Sequence, residues 1–183
     1  MSLILASGSP RRRDLMAMIT PDYTVITSDV DESKIKAETP AQTALALAQA
    51  KCMAVAKNRP EDVVIGCDTV VDFNGEIFGK PANREDALRM LRALSGNQHK
   101  VHTGVCICKG DHCETLIATS VVRFNPIEES LMQAYVDTDE PYDKAGGYAI
   151  QGTAALFCDG IDGCYYNIMG FPVSRVAALL KKF

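Results

Sequence analysis

Acidic and basic side chains that could act together on a phosphate follow three strand-like segments of this 183-residue chain. Three successive arginines follow the first segment, Glu32 (with Asp31 before it) follows the second, and Asp68 follows the third. Open α/β sheets usually place ligands where strands end, so these groups are expected to share one site. Carboxylates among cations favour a divalent metal, Mg²⁺ or Mn²⁺, and Asp68 is our candidate for the general base. The alternative interpretation is that Asp68 only caps a turn.

The arginines, Arg11–Arg13, belong to a predicted strand, turn and helix. Ser9 is a good N-cap and Pro10 suits the first helical position, so a helix is expected to begin at about Pro10. Its unpaired backbone N–H groups and positive dipole end then face the turn at Ser7 and Gly8, which favours an anion there. Guanidinium groups beside that turn would add bidentate phosphate binding.

Two lysines and a glutamine are further polar candidates. A hairpin turning at Asn74-Gly75 would return Lys80 toward Asp68, where it could stabilise charge on a phosphoryl group. Lys51 lies on a predicted amphipathic helix, and for either lysine the alternative is an ordinary solvated side chain. Gln151 follows a glycine turn. Its amide complements an imide edge such as N3–H and O4 of uracil or thymine, and the alternative is a local hydrogen bond.

Composition restricts the class of protein. Hydrophobic residues make up 47% of the chain, enough for a sizeable core, and the net charge of −4 argues against general binding to nucleic acid or to an anionic membrane. No signal segment opens the sequence and no apolar run is long enough to span a bilayer. We therefore expect a cytoplasmic protein that binds neither nucleic acid nor membrane.

The seven cysteines are an odd number, are scattered, and contain no C-x-x-C pair. This pattern indicates a reduced protein in which most thiols pack as small hydrophobic groups. Cys106, Cys108, His112 and Cys113 form the one local cluster. We interpret it as core packing and a surface turn, because C-x-C on a strand is not a common zinc spacing.

Strand-like and helix-like segments alternate along the chain, with hairpins between some of them. Helices are predicted at about 10–19, 40–55, 84–94, 126–136 and 172–182; strands are predicted at 3–6, 23–27, 63–67, 99–108, 114–124 and 154–158, with a hairpin over 68–81. This order predicts a mixed β-sheet flanked by helices, in a single elongated α/β domain over residues 1–183. No P-loop and no G-x-S-x-G elbow occurs.

The candidate residues belong to longer blocks that resemble the Maf family of nucleoside triphosphate pyrophosphatases. The blocks run in order over nearly the whole chain: 5–12 (LASGSPRR), 66–71 (GCDTVV), 79–81 (GKP), 100–105 (KVHTGV) and 143–152 (DKAGGYAIQG). The resemblance implies a fold similar to the inosine triphosphate pyrophosphatases. It also implies a homodimer that hydrolyses a nucleoside triphosphate to monophosphate and pyrophosphate and removes noncanonical nucleotides. A nucleotide-binding regulator of cell division with little turnover is the alternative.

The same resemblance implies roles for individual residues. Asp68 is similar to the family's catalytic base, and Lys80 is similar to a second catalytic residue. Glu32 and Asp68 are similar to ligands of a divalent metal, Mg²⁺, Mn²⁺ or Co²⁺. The implied phosphate contacts are Ser7, Arg12, Lys51 and Lys80. The positions that resemble those setting base preference are Arg11, Thr69 and Gln151. Glutamine at position 151, where another branch has glutamate, resembles the branch that acts on dTTP and UTP, including modified uridine triphosphates.

Overall fold

The computed structural model of the protein describes residues 2–183, in which seven strands form one mixed sheet. The strands are β1 (Leu3–Ala6), β2 (Thr24–Val25), β3 (Val63–Phe73), β4 (Glu76–Phe78), β5 (Gln98–Lys109), β6 (His112–Phe124) and β7 (Cys158–Asp162). Their order is β2-β1-β3-β5-β6-β7, with β4 pairing β3 off this path. β1 pairs in parallel with β2 and β3, and all the other described pairs are antiparallel. The predicted mixed sheet is confirmed.

Helices lie on the faces of this sheet. The described α-helices are α1 (Pro10–Ala17), α2 (Pro40–Ala56), α3 (Arg84–Leu94), α4 (Glu129–Val136), α5 (Tyr165–Ile168) and α6 (Val173–Leu180). The N-cap predicted at Ser9 is confirmed, and Thr39 and Asn83 cap α2 and α3 in the same way: each side chain accepts a hydrogen bond from a backbone N–H group in the first turn of its helix. None of the helices within residues 2–183 has the length and apolar content needed to cross a membrane.

Helix α2 packs directly on one face of β3 and β5 because two glycines there leave room for it. A Cβ atom on Gly66 would lie 2.3 Å from the Ala48 carbonyl oxygen, and one on Gly104 would lie 2.5 Å from the Ala44 carbonyl oxygen. Successive side chains of a strand point to opposite faces, so the intervening apolar residues pack against α1 and α6 instead. The sheet thereby holds α2 in fixed register over β3.

A second apolar core fills the other half of the molecule. It joins α3 and α4 to the ends of β5 and β6, and its buried aromatic side chains include Tyr135, Phe157, Phe124 and Tyr148, which pack edge to face. His99 and His102 lie three residues apart on β5 and therefore face opposite sides of the sheet. The His99 ring packs on Phe124 and Tyr148, whereas His102 bonds to Asp72.

Four element boundaries differ from the sequence prediction. β3 runs through Asp68 to Phe73 without a break, so Asp68 does not end its strand. The predicted helix 126–136 begins only at Glu129, and in the segment before it the backbone N–H of Ile127 donates to Ser95 Oγ (2.7 Å). β2 is limited to Thr24–Val25, and Glu32 opens a short 3₁₀ helix, Glu32–Lys34, rather than following a strand directly.

The strand predicted at 154–158 is wrong. Residues Thr153–Leu156 form a 3₁₀ helix, and the strand is β7, which begins at Cys158. A short apolar run fits either structure, and here the Glu140 carboxylate decides between them by accepting hydrogen bonds from the backbone N–H groups of Thr153 and Ala154. Those two N–H groups are therefore not available to a sheet.

The prediction that the cysteines are reduced is also wrong in part. Cys108 and Cys113 lie directly opposite each other on β5 and β6 and form a disulfide. Their separation by a tight hairpin turn brings the two Cα atoms to 4.2 Å. Spacing alone does not reveal such a pair. Two cysteines in a C-x₄-C pattern lie opposite each other across a hairpin in only one register, and the sequence does not give that register. The remaining described cysteines have thiols, of which Cys52, Cys67 and Cys106 are buried as predicted.

Candidate active site

All nine residues predicted to form a site line one cleft of about 1200 Å³. They are Ser7, Arg11, Arg12, Glu32, Lys51, Asp68, Thr69, Lys80 and Gln151. The cleft lies between the part of the sheet covered by α2 and the segments that follow β4 and α4. Residues more than 140 positions apart in the chain therefore meet at one place.

Asp68 faces the cleft because β1, the parallel neighbour of β3, ends before the position opposite Asp68. β1 ends at Ala6, which pairs with Gly66, so β3 continues past the end of β1 with Asp68 next to the turn at Ser7 and Gly8. Asp68 therefore lies at the carboxyl end of β1, although not at the end of its own strand. The carboxyl end of β1, whose last residue precedes the predicted anion turn, is a place where open α/β sheets commonly bind ligands.

Arg12 is held in place by three different segments. Its Nη1 donates to Ser7 Oγ (3.1 Å), its Nη2 donates to Thr69 Oγ1 (3.0 Å), and its Nε donates to the Gly170 carbonyl oxygen (2.9 Å). Gly170 has φ +104°, and a Cβ atom there would lie 3.1 Å from Thr69 Oγ1, so a side chain at this position would be strained and tight. The guanidinium is thus fixed in orientation beside the start of α1.

Lys51 joins the two predicted metal carboxylates. Its Nζ lies 2.5 Å from Asp68 Oδ1 and 2.8 Å from Glu32 Oε1. Only 12% of the Lys51 side chain and 10% of the Asp68 side chain are exposed, whereas Glu32 is more than half exposed. Two buried charges are stabilised here by pairing, since an unpaired charge at either position would carry a large desolvation cost.

The same contacts test whether a divalent cation fits. Asp68 and Glu32 approach one point of the cleft from two elements, and a cation, the Lys51 ammonium, already lies between them. Each carboxylate uses one oxygen on Lys51 and carries a second oxygen. Carboxylate oxygens are the donors that hard divalent cations prefer, so this pair fits Mg²⁺, Mn²⁺ or Co²⁺.

Lys80 is brought to the cleft by the β3–β4 hairpin, as predicted. Val71 pairs with Phe78, so Lys80 lies two residues beyond the pairing, on the side of the hairpin toward Asp68. Asp72 fixes this hairpin, because its Oδ1 accepts from the Gly75 N–H (2.8 Å) and its Oδ2 bonds to His102 Nε2 (3.0 Å). The imidazole of His102 therefore has a positioning contact rather than a place in the cleft.

The far end of the cleft is formed by Arg11 and by the glycine-rich segment 143–152. Arg11 Nη1 lies 3.6 Å from Asp143 Oδ2, and Lys144 also pairs with Asp143. The Gly146 N–H donates to the Gly79 carbonyl oxygen (3.0 Å), which ties this segment to the residue before Lys80. Gln151 is exposed in the cleft.

Cys67, beside the cleft, and Asp143, in its lining, have shifted pKa values. Burial raises the pKa of the Cys67 thiol to about 11, so this cysteine beside Asp68 is a neutral thiol at neutral pH and donates to the Gly170 carbonyl oxygen. Burial acts to raise the pKa of Asp143 too, but the hydrogen bond and charge of Lys144 and the charge of Arg11 outweigh it and lower the pKa. Asp143 is therefore ionised at neutral pH.

Sequence reasoning assigned no role to several residues that build the cleft. Thr103 Oγ1 bonds to Thr69 Oγ1 (2.9 Å) and donates to the Asn167 carbonyl oxygen (3.0 Å), which holds the threonine that bonds to Arg12. Gly170 and Asp143 were missed as well. Asp143 stands at the start of the last resembling block and could have been found there, whereas nothing in the local sequence marks the Gly170 carbonyl.

Comparison with known structures first defines the class of fold. The Ham1 protein of Staphylococcus aureus has a TM-score of 0.56 at 15% identity, with 100% of this chain and 99% of that chain covered. A HAM1 protein from Coxiella burnetii has a TM-score of 0.54 at 13% identity, with 100% of both chains covered. The protein therefore has a fold similar to that of the Ham1 proteins.

The family is defined by sequence. The family model described as "Maf-like protein" matches residues 2–183, and the chain belongs to the Maf family. A relative in Pelotomaculum thermopropionicum is 44% identical, with 99% of this chain and 96% of the relative covered. A relative in Pyrococcus furiosus is 42% identical, with 98% and 94% covered. Both relatives are named dTTP/UTP pyrophosphatase.

Proposed function

We propose that this protein is a metal-dependent nucleoside triphosphate pyrophosphatase that hydrolyses dTTP and UTP, and modified uridine triphosphates, to the monophosphate and pyrophosphate. Relatives that are 41% to 45% identical over nearly their whole length carry the name of that activity. The observation that carries the proposal is the cluster of Arg12, Lys51, Asp68 and Glu32 in one cleft. Cations that bind a polyphosphate and a carboxylate that activates water are what this reaction requires.

In this proposal the cations bind the triphosphate and the carboxylate prepares the nucleophile. Arg12, with its guanidinium plane already fixed, and Ser7 bind phosphate oxygens, and Lys51 and Lys80 neutralise charge that develops on the phosphoryl group. When substrate phosphate reaches Lys51, the ammonium can exchange part of its pairing with Asp68 for phosphate oxygens. Asp68 then accepts a proton from the attacking water as the general base.

Glu32 and Asp68 would hold the divalent metal, which supplies Lewis-acid stabilisation of the phosphate charge when bound. Glu32 is the more exposed of the two and begins a short 3₁₀ helix, so it can move with less cost than Asp68 can. Asp68 keeps its position in the centre of the sheet. This difference suits a fixed base and an adjustable metal ligand.

Choice of base is assigned to the far end of the cleft. Gln151 offers one acceptor and two donors, which complement N3–H and O4 of thymine or uracil. Arg11 and Thr69 complete the set, although the Thr69 hydroxyl also bonds to Arg12 and so links the base end to the phosphate end. Thr69 is therefore assigned two roles: it orients Arg12 and it contacts the substrate.

The wider role proposed is removal of noncanonical nucleotides from the pool. We further propose a single domain, a homodimer, a cytoplasmic location and no binding to nucleic acid or membrane. A regulator of cell division with little turnover is the second candidate. The enzyme is preferred because its relatives are named for hydrolysis and because Lys80 is carried to the cleft that holds Asp68.

The test is a panel of standard and modified nucleoside triphosphates, assayed for pyrophosphate with Mg²⁺, Mn²⁺ and Co²⁺ in turn. The proposal expects metal-dependent release of pyrophosphate, fastest with dTTP, UTP or a modified uridine triphosphate. Equal turnover of purine and pyrimidine substrates would refute the base assignment. A regulator would give no turnover, and its cellular effect would survive Asp68→Asn.

A further inference from the structure

A second cluster of chemically reactive side chains lies outside the cleft, between α2 and the sheet. The side chains of Cys52, Cys106 and Cys108 are buried, with exposed fractions of 0%, 2% and 0%. Their three Sγ atoms lie within 4.8 Å of one another. None of the three lines the cleft. The proposed reaction therefore leaves this group of sulfurs unused.

The fold brings these sulfurs together from two elements. Cys106 and Cys108 are alternate residues of β5, so both face α2, and Cys52 points from α2 toward them. Gly66 makes the close approach possible, because a Cβ atom there would lie 2.6 Å from Cys52 Cβ. The cluster is thus part of the packing that fixes α2 on the sheet, and it cannot spread without moving the helix.

The distances suit a single ion bound by sulfur. Cys106 Sγ lies 3.6 Å from Cys108 Sγ, and the Met53 thioether lies 3.7 Å from Cys108 Sγ. An ion bonded to thiolates at about 2.3 Å keeps its sulfur ligands about 3.8 to 4.0 Å apart. Met53 is about half exposed and lies beside the buried thiols, where it offers an entry path and a fourth sulfur.

The Cys108–Cys113 disulfide competes directly with such an ion. Cys108 is the member of the cluster that approaches both Cys106 and Met53, and its sulfur is bonded to Cys113 on β6. A sulfur in a disulfide has no thiolate to give to a metal. Metal binding and the disulfide are therefore mutually exclusive states of one residue.

We propose that the reduced protein binds one soft metal ion of the Cu(I) class through Cys52, Cys106 and Cys108, with Met53 at the open side, and that the Cys108–Cys113 disulfide closes this site. Thiolate and thioether sulfur together favour Cu(I), whereas structural zinc sites use four Cys or His ligands. Mg²⁺ and Ca²⁺ need oxygen ligands, which a set of sulfurs does not supply.

A dithiol reductant converts the disulfide form of the protein to the reduced form that binds Cu(I). Two electrons from the dithiol break the Cys108–Cys113 bond to give two thiols, and the dithiol becomes a disulfide. Binding of Cu(I) then replaces thiol protons, which pass to solvent, and the ion keeps its oxidation state. Because Cys52 directly follows Lys51 on α2, the ion would join the helix that carries a cleft residue to the centre of the sheet.

The test is an anaerobic titration of the full chain with Cu(I) against a chromogenic Cu(I) chelator, with thiolate-to-copper absorption as a second readout. The reduced protein is expected to bind one Cu(I) per chain, and the disulfide form to bind at least about 100-fold more weakly. Cys113→Ala is the decisive variant. It keeps all three proposed ligands but cannot form the disulfide, so it should bind Cu(I) without any reductant.

Matched variants assign the ligands. Cys106→Ser should lose the site at nearly constant volume, and Met53→Leu, at a half-exposed position that tolerates change, should weaken binding by about tenfold. Cys164→Ala, outside the cluster, should bind as the wild type does. Equal binding by Cys106→Ser and Cys164→Ala would overturn the proposal, as would a requirement for reductant in Cys113→Ala. Tighter binding of Zn²⁺ than of Cu(I) in competition would overturn the assigned class of ion.

Discussion

The two ends of the cleft are built in different ways. At the phosphate end, Arg12 is fixed by three hydrogen bonds, of which those to Thr69 and Gly170 reach distant segments of the chain, and Lys51 is fixed by two carboxylates. At the base end, Gln151 is exposed and the Arg11–Asp143 pair is long at 3.6 Å, with Asp143 largely exposed. This difference agrees with the proposal that the first end carries the reaction and the second end selects the base.

This contrast has a physical basis in the elements that carry each end. Of the phosphate-end residues, Ser7 directly follows β1, Arg12 stands on α1 and Lys51 stands on α2, and both helices pack against the central sheet. Of the residues assigned to base choice, Arg11 stands on α1 and Thr69 on β3, whereas Gln151 stands in the turn between the 3₁₀ helices Ala145–Gly147 and Thr153–Leu156. Loop residues can change with little effect on stability, which suits a position that selects among substrates.

The largest effect is expected from Asp68→Asn, which removes the proposed base at the rigid end. The amide cannot accept the proton from water, so kcat for dTTP should fall by about 1000-fold, within the usual range for a general base. The measurement is pyrophosphate release at saturating substrate, together with dTTP affinity by calorimetry. Asp111→Asn, at the exposed turn between β5 and β6, is the control and should leave kcat unchanged. Retention of more than a tenth of the activity in Asp68→Asn would contradict the assignment.

The glycine-rich segment of the cleft packs on the buried imidazole of His99, and lowering the pH should reduce the stability that this residue contributes. Burial lowers the pKa of His99 to about 4, from 6.5 in the unfolded chain, and the ring bonds to Tyr148 in the glycine-rich segment. The unfolded state therefore takes up this proton first as the pH falls. Stability from this residue is complete above about pH 6.5, is lost down to about pH 4, and amounts to about 3 kcal/mol.

Urea unfolding between pH 7 and pH 4 measures this contribution. In His99→Gln the free energy of unfolding should fall less steeply as the pH is lowered than in the wild type. The two slopes should differ by the uptake of up to one proton on unfolding. Parallel slopes for the two proteins would show that His99 does not stay neutral in the folded state.

A smaller loss is expected from Arg12→Lys, which keeps the charge but removes the planar fork. Lysine cannot make the three fixed contacts of the guanidinium to Ser7, Thr69 and Gly170, so kcat/KM should fall by about 30-fold. Arg13→Lys is the matched control on the exposed side of α1 and should have less than a twofold effect. Equal effects of the two substitutions would mean that charge alone matters at this end.

The smallest effect is expected from Gln151→Glu, which alters an exposed residue of the cleft. Glutamate has no amide donor for O4 of thymine or uracil, so kcat/KM for dTTP and UTP should fall by about tenfold relative to other triphosphates. Steady-state rates on the full panel measure the ranking of substrates. An unchanged ranking would remove Gln151 from the base-selecting set.

The sequence is sufficient for the sheet class, the caps and the clustering of candidate residues, because each depends on local signals. Ser9, Thr39 and Asn83 are caps whose role follows from their neighbours in sequence. The β3–β4 turn at Asn74-Gly75 is equally local, with φ values of 53° and 88°.

Features that depend on distant contacts were not predicted. The Gly170 carbonyl meets Arg12 across 158 residues, and the 3₁₀ helix at 153–156 depends on Glu140. The Cys108–Cys113 pair depends on the register of β5 and β6. No local pattern encodes these contacts, so only the folded arrangement reveals them.

The central claim is that the rigid end of the cleft directs cleavage between the α- and β-phosphates. The most direct measurement is ³¹P NMR of dTTP during hydrolysis by the wild-type protein with Mg²⁺ or Mn²⁺. The account predicts dTMP and pyrophosphate in equal amounts, with neither appearing above background in Asp68→Asn. Formation of dTDP and orthophosphate would contradict it.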